Sequence, residues 1–440
     1  MTGKGPGLDL WRRRKDRTIR YPIALSNRNQ NQRRASSHQL RLSSMDEPSE
    51  QQYSPSDFIY GPTIGEGRFG TVIYAELTPA EQDPTAAAAD ESSSQHESRS
   101  RERCRGYAIK VIPKCEIFRR NQIHAVMTEK RILCEVLSSK DENPSELFMK
   151  LFLSFHDESF VYFVLELCAG GTLLGLIQSR ARDSIDPESP VMGVSWVEYY
   201  SGQVLRAIEY LHQRGVVHRD ISPQNIALTF PNGEIKLGDF GGAAILEAHE
   251  HEGGSTRRVP TGSPPGQICD FVGTPGYASP KMIRGRDEDD TISPSMDVWS
   301  FGCLVYHMFV GKSPFHAASD HLAFQRVLDY SNGKIELCFP SFIDETSKDL
   351  ISLLLSIDPA NRLGMQDGVI ESNTACHSTE TGQKRYISIR DHSFFHTTIW
   401  NSLETKIMEP PYKPAQPKWM ADIYRGDNTL ESFESIRFDL

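Results

Sequence analysis

The sequence predicts an α+β fold of two lobes, a small and mostly antiparallel β lobe with one key helix, followed by a larger helical lobe. Three features carry that expectation. Before residue 167 the apolar runs are short, β-branched and aromatic, and the first of them, TIGEGRFGTVIYAEL, turns back at a glycine cluster. The run FVYFVLEL then passes directly into CAGGTL, a glycine-relaxed connector suited to joining two lobes. Beyond it the apolar spacing turns helical, and SMDVWSFGCLVYHMFVG is apolar on every side, the pattern of a buried central helix.

Composition removes several function classes. Hydrophobic residues make up 38% and charged residues 24% of the 440, as in a globular protein, and no apolar run reaches the roughly 18 residues of a membrane span. The net charge of -10 is unevenly spread: residues 1–50 hold eleven Lys/Arg against five Asp/Glu, so the remainder is strongly acidic and unsuited to bulk nucleic-acid binding. Eight cysteines without a C-x-x-C pair argue against a zinc site and a disulfide framework. They fit a reducing compartment, and a cytoplasmic location is expected, with the nucleus or the membrane periphery as alternatives.

Taken in order, residues 1–56 are basic and rich in Ser, Asn and Gln, the composition of a disordered tail. Within them Arg33-Arg34-Ala35-Ser36 has the form of a basophilic phosphorylation site, or is simply a solvated charge run. One folded domain is expected over 57–396, with a disordered insertion at about 78–106, and a tail over 397–440. Gly65, Gly67 and Gly70 give a strand, a tight turn and a returning strand, with Ile64, Glu66, Arg68 and Phe69 between them and Val72 beyond. Such a turn lets backbone N–H groups lie over phosphates, where a Cβ would obstruct. A lone GxGxxG is shared with dinucleotide-binding folds, but there a helix follows, and here a strand does.

The strand YAIKVI places Ala108 and Lys110 in an apolar run; a strand lysine is either functional or a snorkelled surface residue. Residues 116–137 read as one helix with Ile117, Ile123, Val126, Ile132 and Leu133 on its apolar stripe and Glu129 beside them. Two strands, LFMKLFLSF and FVYFVLEL, lead through Leu165 and Glu166 to Cys168. A long helix follows, in which Ser195 and Glu198 read as a capping box, Val197, Val204, Ile208 and Leu211 as its apolar face, and Gly215 as its stop. It delivers HRDISPQN, with Asp220 five residues before Asn225, and a hairpin turning at Asn232-Gly233 ends at Asp239-Phe240-Gly241. Within a long segment over 239–281, the stretch from Ala244 to Cys269 is polar and reads as mobile, and it leads into DFVGTPGYASPKM, whose Gly273, Thr274 and Tyr277 would wall a substrate. Asp297 is a buried acid whose natural partner is the backbone of HRD.

These parts, in this order and on these elements, resemble a protein kinase. The resemblance implies ATP and Mg2+ as cofactors. The glycine turn would cover the phosphates, Lys110 braced by Glu129 would orient them, and Asn225 and Asp239 would hold the metal. Asp220 would accept the proton of the attacking hydroxyl, and Glu166 to Cys168 would take the adenine, with Leu165 as gatekeeper. NRLG, the HSFF cluster and EPPYKP resemble the AGC serine/threonine kinases. YAIKVIPK, RAIEYLHQRGVVHRD, DFVGT, LAFQRVLD, FPSF and KDLISLLL resemble the 3-phosphoinositide-dependent branch of that family. The branch implies as substrates the activation-loop Ser/Thr of other AGC kinases. It also implies a pocket for their phosphorylated hydrophobic tails, lined by Lys114, Ile117, Phe118, Ile123, Val126, Met127 and Val161, with Lys130, Ser154 and His156 at the phosphate. The same residues equally fit ordinary helix–sheet packing. A lipid-binding pleckstrin homology domain is not expected in the 44 residues of the tail.

Four departures from the family pattern matter. Asp270 stands where an activating phosphoserine is usual and supplies a permanent single charge, expected to pair with Arg219. Lys281 replaces the glutamate of A-P-E, which would set it against Arg362. Thr172 replaces an acidic residue after the connector, and Ser222 replaces the lysine two residues after the catalytic Asp, with Gln224 where tyrosine kinases carry arginine. Ser222 and Lys281 keep open the alternative of a nucleotide-binding pseudokinase or scaffold.

Overall fold

The computed structural model describes residues 53–67, 70–78, 106–137, 146–184, 186, 188–250, 256–260, 273–284, 292–364, 377–378, 384–385, 388–395, 397–425 and 430. Most of the expected N-terminal tail and of the 78–106 insertion, together with Arg68, Phe69 and Asp270, lies outside the described residues. The chain divides into two compact units. One comprises Met1–Arg120, Leu151–Leu167 and Arg425–Leu440; the other comprises Asn121–Lys150 and Cys168–Tyr424.

The first unit is an antiparallel sheet built from β1 (Phe58–Gly67), β2 (Gly70–Leu77), β3 (Tyr107–Pro113), β4 (Leu151–His156) and β5 (Phe160–Glu166), in the order β1-β2-β3-β5-β4. Alternation sends one set of side chains into a common core: Phe58, Tyr60, Ile73, Ile109, Val111, Phe155, Tyr162 and Val164. Phe155 stacks on Phe58 at 5.9 Å and on Tyr162 at 4.6 Å, which ties the two edges of the sheet together. The strand signal was therefore legible. Pro113 ends β3 and caps the short helix α1 (Lys114–Arg119).

The expected helix over 116–137 is instead three pieces. Asn121 adopts a left-handed conformation (φ 53°), which asparagine tolerates and which breaks the i→i−4 ladder after α1. The helix resumes as α2 (Ile123–Arg131) and widens into a π turn over Ile132–Val136. The segment Asn121–Lys150 belongs to the helical unit because it packs there: Phe148 lies 6.3 Å from Phe240, and Met149 N–H bonds the Leu237 carbonyl at 3.0 Å.

In that second unit α3 (Leu173–Asp183) and α4 (Val194–Gln213) precede the short strand β6 (Val216–Val217). The capping-box reading of Ser195 and Glu198 is corrected: Gly193 is the extended residue before the helix and no side chain caps it, so Ser195 already lies inside the first turn. Gly215 closes α4 at φ 71°, as expected. Strands β7 (Ile226–Leu228) and β8 (Ile235–Leu237) form the predicted hairpin. Gly233, at its turn (φ 79°), is required twice, because a Cβ there would also lie 1.9 Å from the Tyr412 carbonyl oxygen of the tail. The EPPYKP stretch thus runs along this turn.

Two stretches of the polar segment read as mobile, 244–250 and 256–260, lie among the described residues, as strands. β9 (Ala244–Glu250) pairs with β6 and with β10 (Thr256–Pro260), making a three-stranded sheet β10-β9-β6. After α5 (Pro280–Arg284) comes α6 (Ser295–Val310), buried from Ser295 to Phe309 and stopped by left-handed Gly311, as the all-apolar pattern predicts. It packs between α4 and α8 (Glu345–Leu354), and α7 (Asp320–Ser331) precedes α8; in the tail, α9 (Thr397–Glu404) rests on α4 and α10 (Lys418–Arg425) comes last. Short pairings at 377–378 and 384–385 complete the described elements.

Candidate active site

In the first unit the β1–β2 turn brings Gly67 opposite Gly70 and Gly65 opposite Val72. These glycines are not equivalent. A Cβ at Gly70 would meet the Val111 carbonyl oxygen at 2.1 Å, so the sheet itself demands glycine there. At Gly65 and Gly67 the nearest atoms would be 3.7 and 3.6 Å away, ordinary contact, so packing does not explain why those side chains are absent. What they leave open is a main chain that a phosphate could approach, and a nucleotide fits the residues present. Ile64 is half-buried and Glu66 exposed beside them. On β3, Lys110 registers with Val72 and Ala108 with Leu165, while Tyr107 registers with Glu166. Lys110 is only 7% exposed, which removes the snorkelled-surface reading. Glu129 on α2 in the other unit is 3% exposed, and half-buried Cys168 opens that unit after the connector.

In the second unit the catalytic loop is fastened from behind. Asp297, fully buried at the start of α6, accepts from His218 N–H at 2.8 Å, Arg219 N–H at 2.7 Å and His212 Nε2 at 2.7 Å. Burial alone would raise its pKa, but the His212 bond, the neighbouring histidines and the backbone donors outweigh burial and hold it below the ordinary carboxylate value. Arg219 takes a left-handed φ of 65°, and its guanidinium donates to the Gly242 carbonyl at 2.6 Å. His218 pairs through Nε2 with the Gly238 carbonyl at 3.1 Å and accepts from Asp220 N–H through Nδ1 at 3.3 Å.

Asp220 and Asn225 are held as a unit. Asn225 donates its amide to the Asp220 carbonyl at 2.9 Å, and Gly238 N–H bonds the Asn225 carbonyl at 3.0 Å, bringing the residue before Asp239 to the same place. Asp239 is itself left-handed (φ 57°). Burial raises the Asp220 pKa and repulsion by Asp239 adds to it, against bonds from Thr274 and Asn225 and the nearby His218. Among the described residues no three His, Cys, Asp or Glu side chains gather as a metal cage. Asp239 and Asn225 offer two oxygen donors, enough for a hard divalent cation that keeps phosphate and water as its remaining ligands.

The substrate wall touches this loop directly. Thr274 donates its hydroxyl to Asp220 Oδ1 at 2.7 Å, and Gln224 donates its amide to Thr274 Oγ1 at 2.9 Å. Ser222 is fully buried, with its Oγ 3.4 Å from Thr274 Oγ1. The Gln224–Thr274 link joins residues 50 positions apart and had no signal in the sequence. His212 was equally invisible there as a partner of Asp297.

The other departures find local explanations. Thr172 caps α3, accepting from Gly175 N–H at 3.1 Å. Arg362 takes its partners from main-chain carbonyls, Ser295 at 2.7 Å and Ser356 at 2.8 Å, and lies over Trp299 at 5.1 Å. Burial brings its pKa down to about 10, so it stays a cation, held by these carbonyls rather than by an acidic side chain. Of the residues expected to line a docking pocket, Ile117 and Val161 are buried in the first unit and Val126 in the second, where they serve the cores. Ile123 is half-buried, while Phe118 and Met127 are exposed at 38% and 37%. The Lys114 ammonium bonds the Asp157 carbonyl and lies 3.3 Å from His156 Nδ1; burial lowers its pKa, against the pull of Asp157 and Glu158.

Residues 91–372 match the protein kinase domain, more than half of the chain, and the chain belongs to the protein kinase family. Among known proteins it is similar to 3-phosphoinositide-dependent protein kinase 1 of Mus musculus, 28% identical over 392 residues, covering 88% of this chain and 56% of that protein. The Arabidopsis thaliana protein of the same name is 28% identical over 371 residues, covering 84% of this chain and 60% of that protein. Serine/threonine-protein kinase ksg1 of Schizosaccharomyces pombe is 33% identical over 312 residues, 71% of this chain and 44% of that protein. The chain therefore spans about half the length of the curated relatives it matches. The family uses ATP and a divalent metal. No helix among the described residues is long and apolar enough to cross a membrane.

Proposed function

We propose that this chain is an ATP-dependent protein serine/threonine kinase that phosphorylates Ser or Thr in the activation loops of other AGC kinases. The observation that carries the reading is Asp220: its main-chain carbonyl is held by Asn225 within the loop and its carboxylate faces the wall residue Thr274 at 2.7 Å, a group suited to take the proton of a substrate hydroxyl. When bound, ATP supplies the γ-phosphoryl group and Mg2+ neutralises its charge. Asn225 and Asp239 are assigned to the metal and Lys110, with Glu129, to the phosphates. Gly65 and Gly67 are assigned to the phosphates as well, through their main chain. The adenine is assigned to Glu166 to Cys168 through backbone groups. The named relatives, among them a serine/threonine-protein kinase, support the Ser/Thr acceptor, and the client class rests on the resemblance of the sequence to the AGC kinases.

Two finer points belong to the same reading. Asp270 substitutes for an activating phosphoserine, and Asp270→Asn is expected to lower activity. Clients dock a hydrophobic tail near exposed Phe118, and Phe118→Glu is expected to slow phosphorylation of a client carrying that tail while leaving a short peptide unaffected. The second reading, a nucleotide-binding pseudokinase, is favoured by one observation: buried Ser222 brings no charge to the transferring phosphoryl group. Peptides copied from AGC activation loops, with Thr or Tyr at the acceptor position, test the proposal. Phosphate on the Thr peptide alone upholds it, and equal labelling of both, or of neither, overturns it.

A further inference from the structure

Ser222 leaves the catalytic loop without a cation to join it to the substrate wall, and its own hydroxyl, 3.4 Å from Thr274 Oγ1, is too distant for a strong bond. The wall is fixed by another route. Thr274 is held through its backbone, where Tyr277 N–H bonds its carbonyl at 2.9 Å, so the remaining variable is the direction of its hydroxyl. That hydroxyl has one proton to give and two lone pairs. Gln224 Nε2, 2.9 Å away, fills one lone pair, and the Asp220 carboxylate at 2.7 Å offers only acceptors. The single proton is therefore directed at Asp220. Because that proton is committed, only the NH2 end of the Gln224 amide can face Thr274, which fixes the orientation of the amide as well.

We infer that Gln224 is a positioning residue for phosphoryl transfer: its neutral amide locks the Thr274 hydroxyl onto Asp220, joining catalytic loop to substrate wall without a charge at position 222. Gln224 is exposed at the rim of the loop, so its replacement leaves the core undisturbed. A glutamate there would accept rather than donate, compete for the Thr274 proton and turn the hydroxyl away from Asp220. The inference rests on the kinase reading.

The test compares wild type, Gln224→Leu, Gln224→Glu, Thr274→Val, Thr274→Ser and the Gln224→Leu/Thr274→Val double variant, in steady-state transfer to an activation-loop Thr peptide and in amide hydrogen exchange of Gly273–Tyr277. Loss of the amide is expected to lower kcat about tenfold with KM for ATP unchanged, the scale of one hydrogen bond made in the transition state. Gln224→Glu should lose at least as much, and Thr274→Ser, which keeps the hydroxyl, should stay near wild type. The double variant should be no worse than Thr274→Val, since Gln224 acts through that hydroxyl. Wild-type kcat in both Gln224 variants, or losses that multiply in the double variant, would overturn the inference. Should wild type transfer no more phosphate than Asp220→Asn, the kinase reading fails by itself. Exchange then decides the positioning role: faster exchange of Gly273–Tyr277 in Gln224→Leu upholds it, and unchanged exchange removes it.

Discussion

The glycine turn of the sheet and the catalytic loop of the helical unit are both short, irregular and polar, yet they are fixed in opposite ways. The loop is held by side chains: Asp297, itself bonded by His212, and Thr274 reach it from elsewhere in the chain, while His218 and Asn225 brace it from within. Among its described residues the turn is set by sheet register, and at two of its three glycines a Cβ would meet no more than ordinary contact. The contrast teaches that the loop is built to keep its geometry before a ligand arrives, whereas the turn is built to let a ligand approach its backbone. Mutations should therefore hurt the loop through folding and the turn through binding.

The largest effect is expected at Asp297. Asp297→Ala would strand two backbone donors and a histidine in the core, and should destabilise the protein by about 3–5 kcal/mol in urea unfolding. A change under about 1 kcal/mol would mean the loop does not depend on that anchor. Within the turn, Gly70→Ala forces a Cβ onto the Val111 carbonyl and should cost about 1–3 kcal/mol. Gly67→Ala should change stability by no more than about 0.5 kcal/mol while raising KM for ATP several-fold. Equal stability losses at the two glycines would erase the distinction drawn between them.

The smallest effect concerns pH and the support behind the wall, where the Tyr277 hydroxyl bonds His307 Nδ1. Burial lowers His307 from 6.5 to about 4. Between those values the unfolded chain binds a proton that the folded chain does not, so stability is complete above about pH 6.5 and is lost as pH falls toward 4. Urea unfolding of His307→Gln at pH 7 and pH 5 should show a smaller drop than wild type, and an identical drop would exclude His307 as its source.

Much of this is legible in the sequence. Period-two strands, the glycine turn, the apolar α6 and the order of Lys110, Glu129, Asp220, Asn225 and Asp239 are local or spacing signals, and a chain displays those directly. The break at Asn121 was not legible, because the apolar stripe runs through it and only the backbone conformation records the interruption. The β9–β10 hairpin hid beneath polar composition. Above all, the Gln224–Thr274–Asp220 chain joins residues whose proximity arises only when the wall folds back, and no pattern in the sequence encodes it.

The most direct test of the account is γ-phosphate transfer from ATP to an AGC activation-loop peptide by wild type and by Asp220→Asn. The asparagine is nearly isosteric and cannot accept the hydroxyl proton, so the rate should fall about 10²–10⁴-fold with the fold intact. Equal rates from the two proteins would contradict the assignment of Asp220 and, with it, the enzyme.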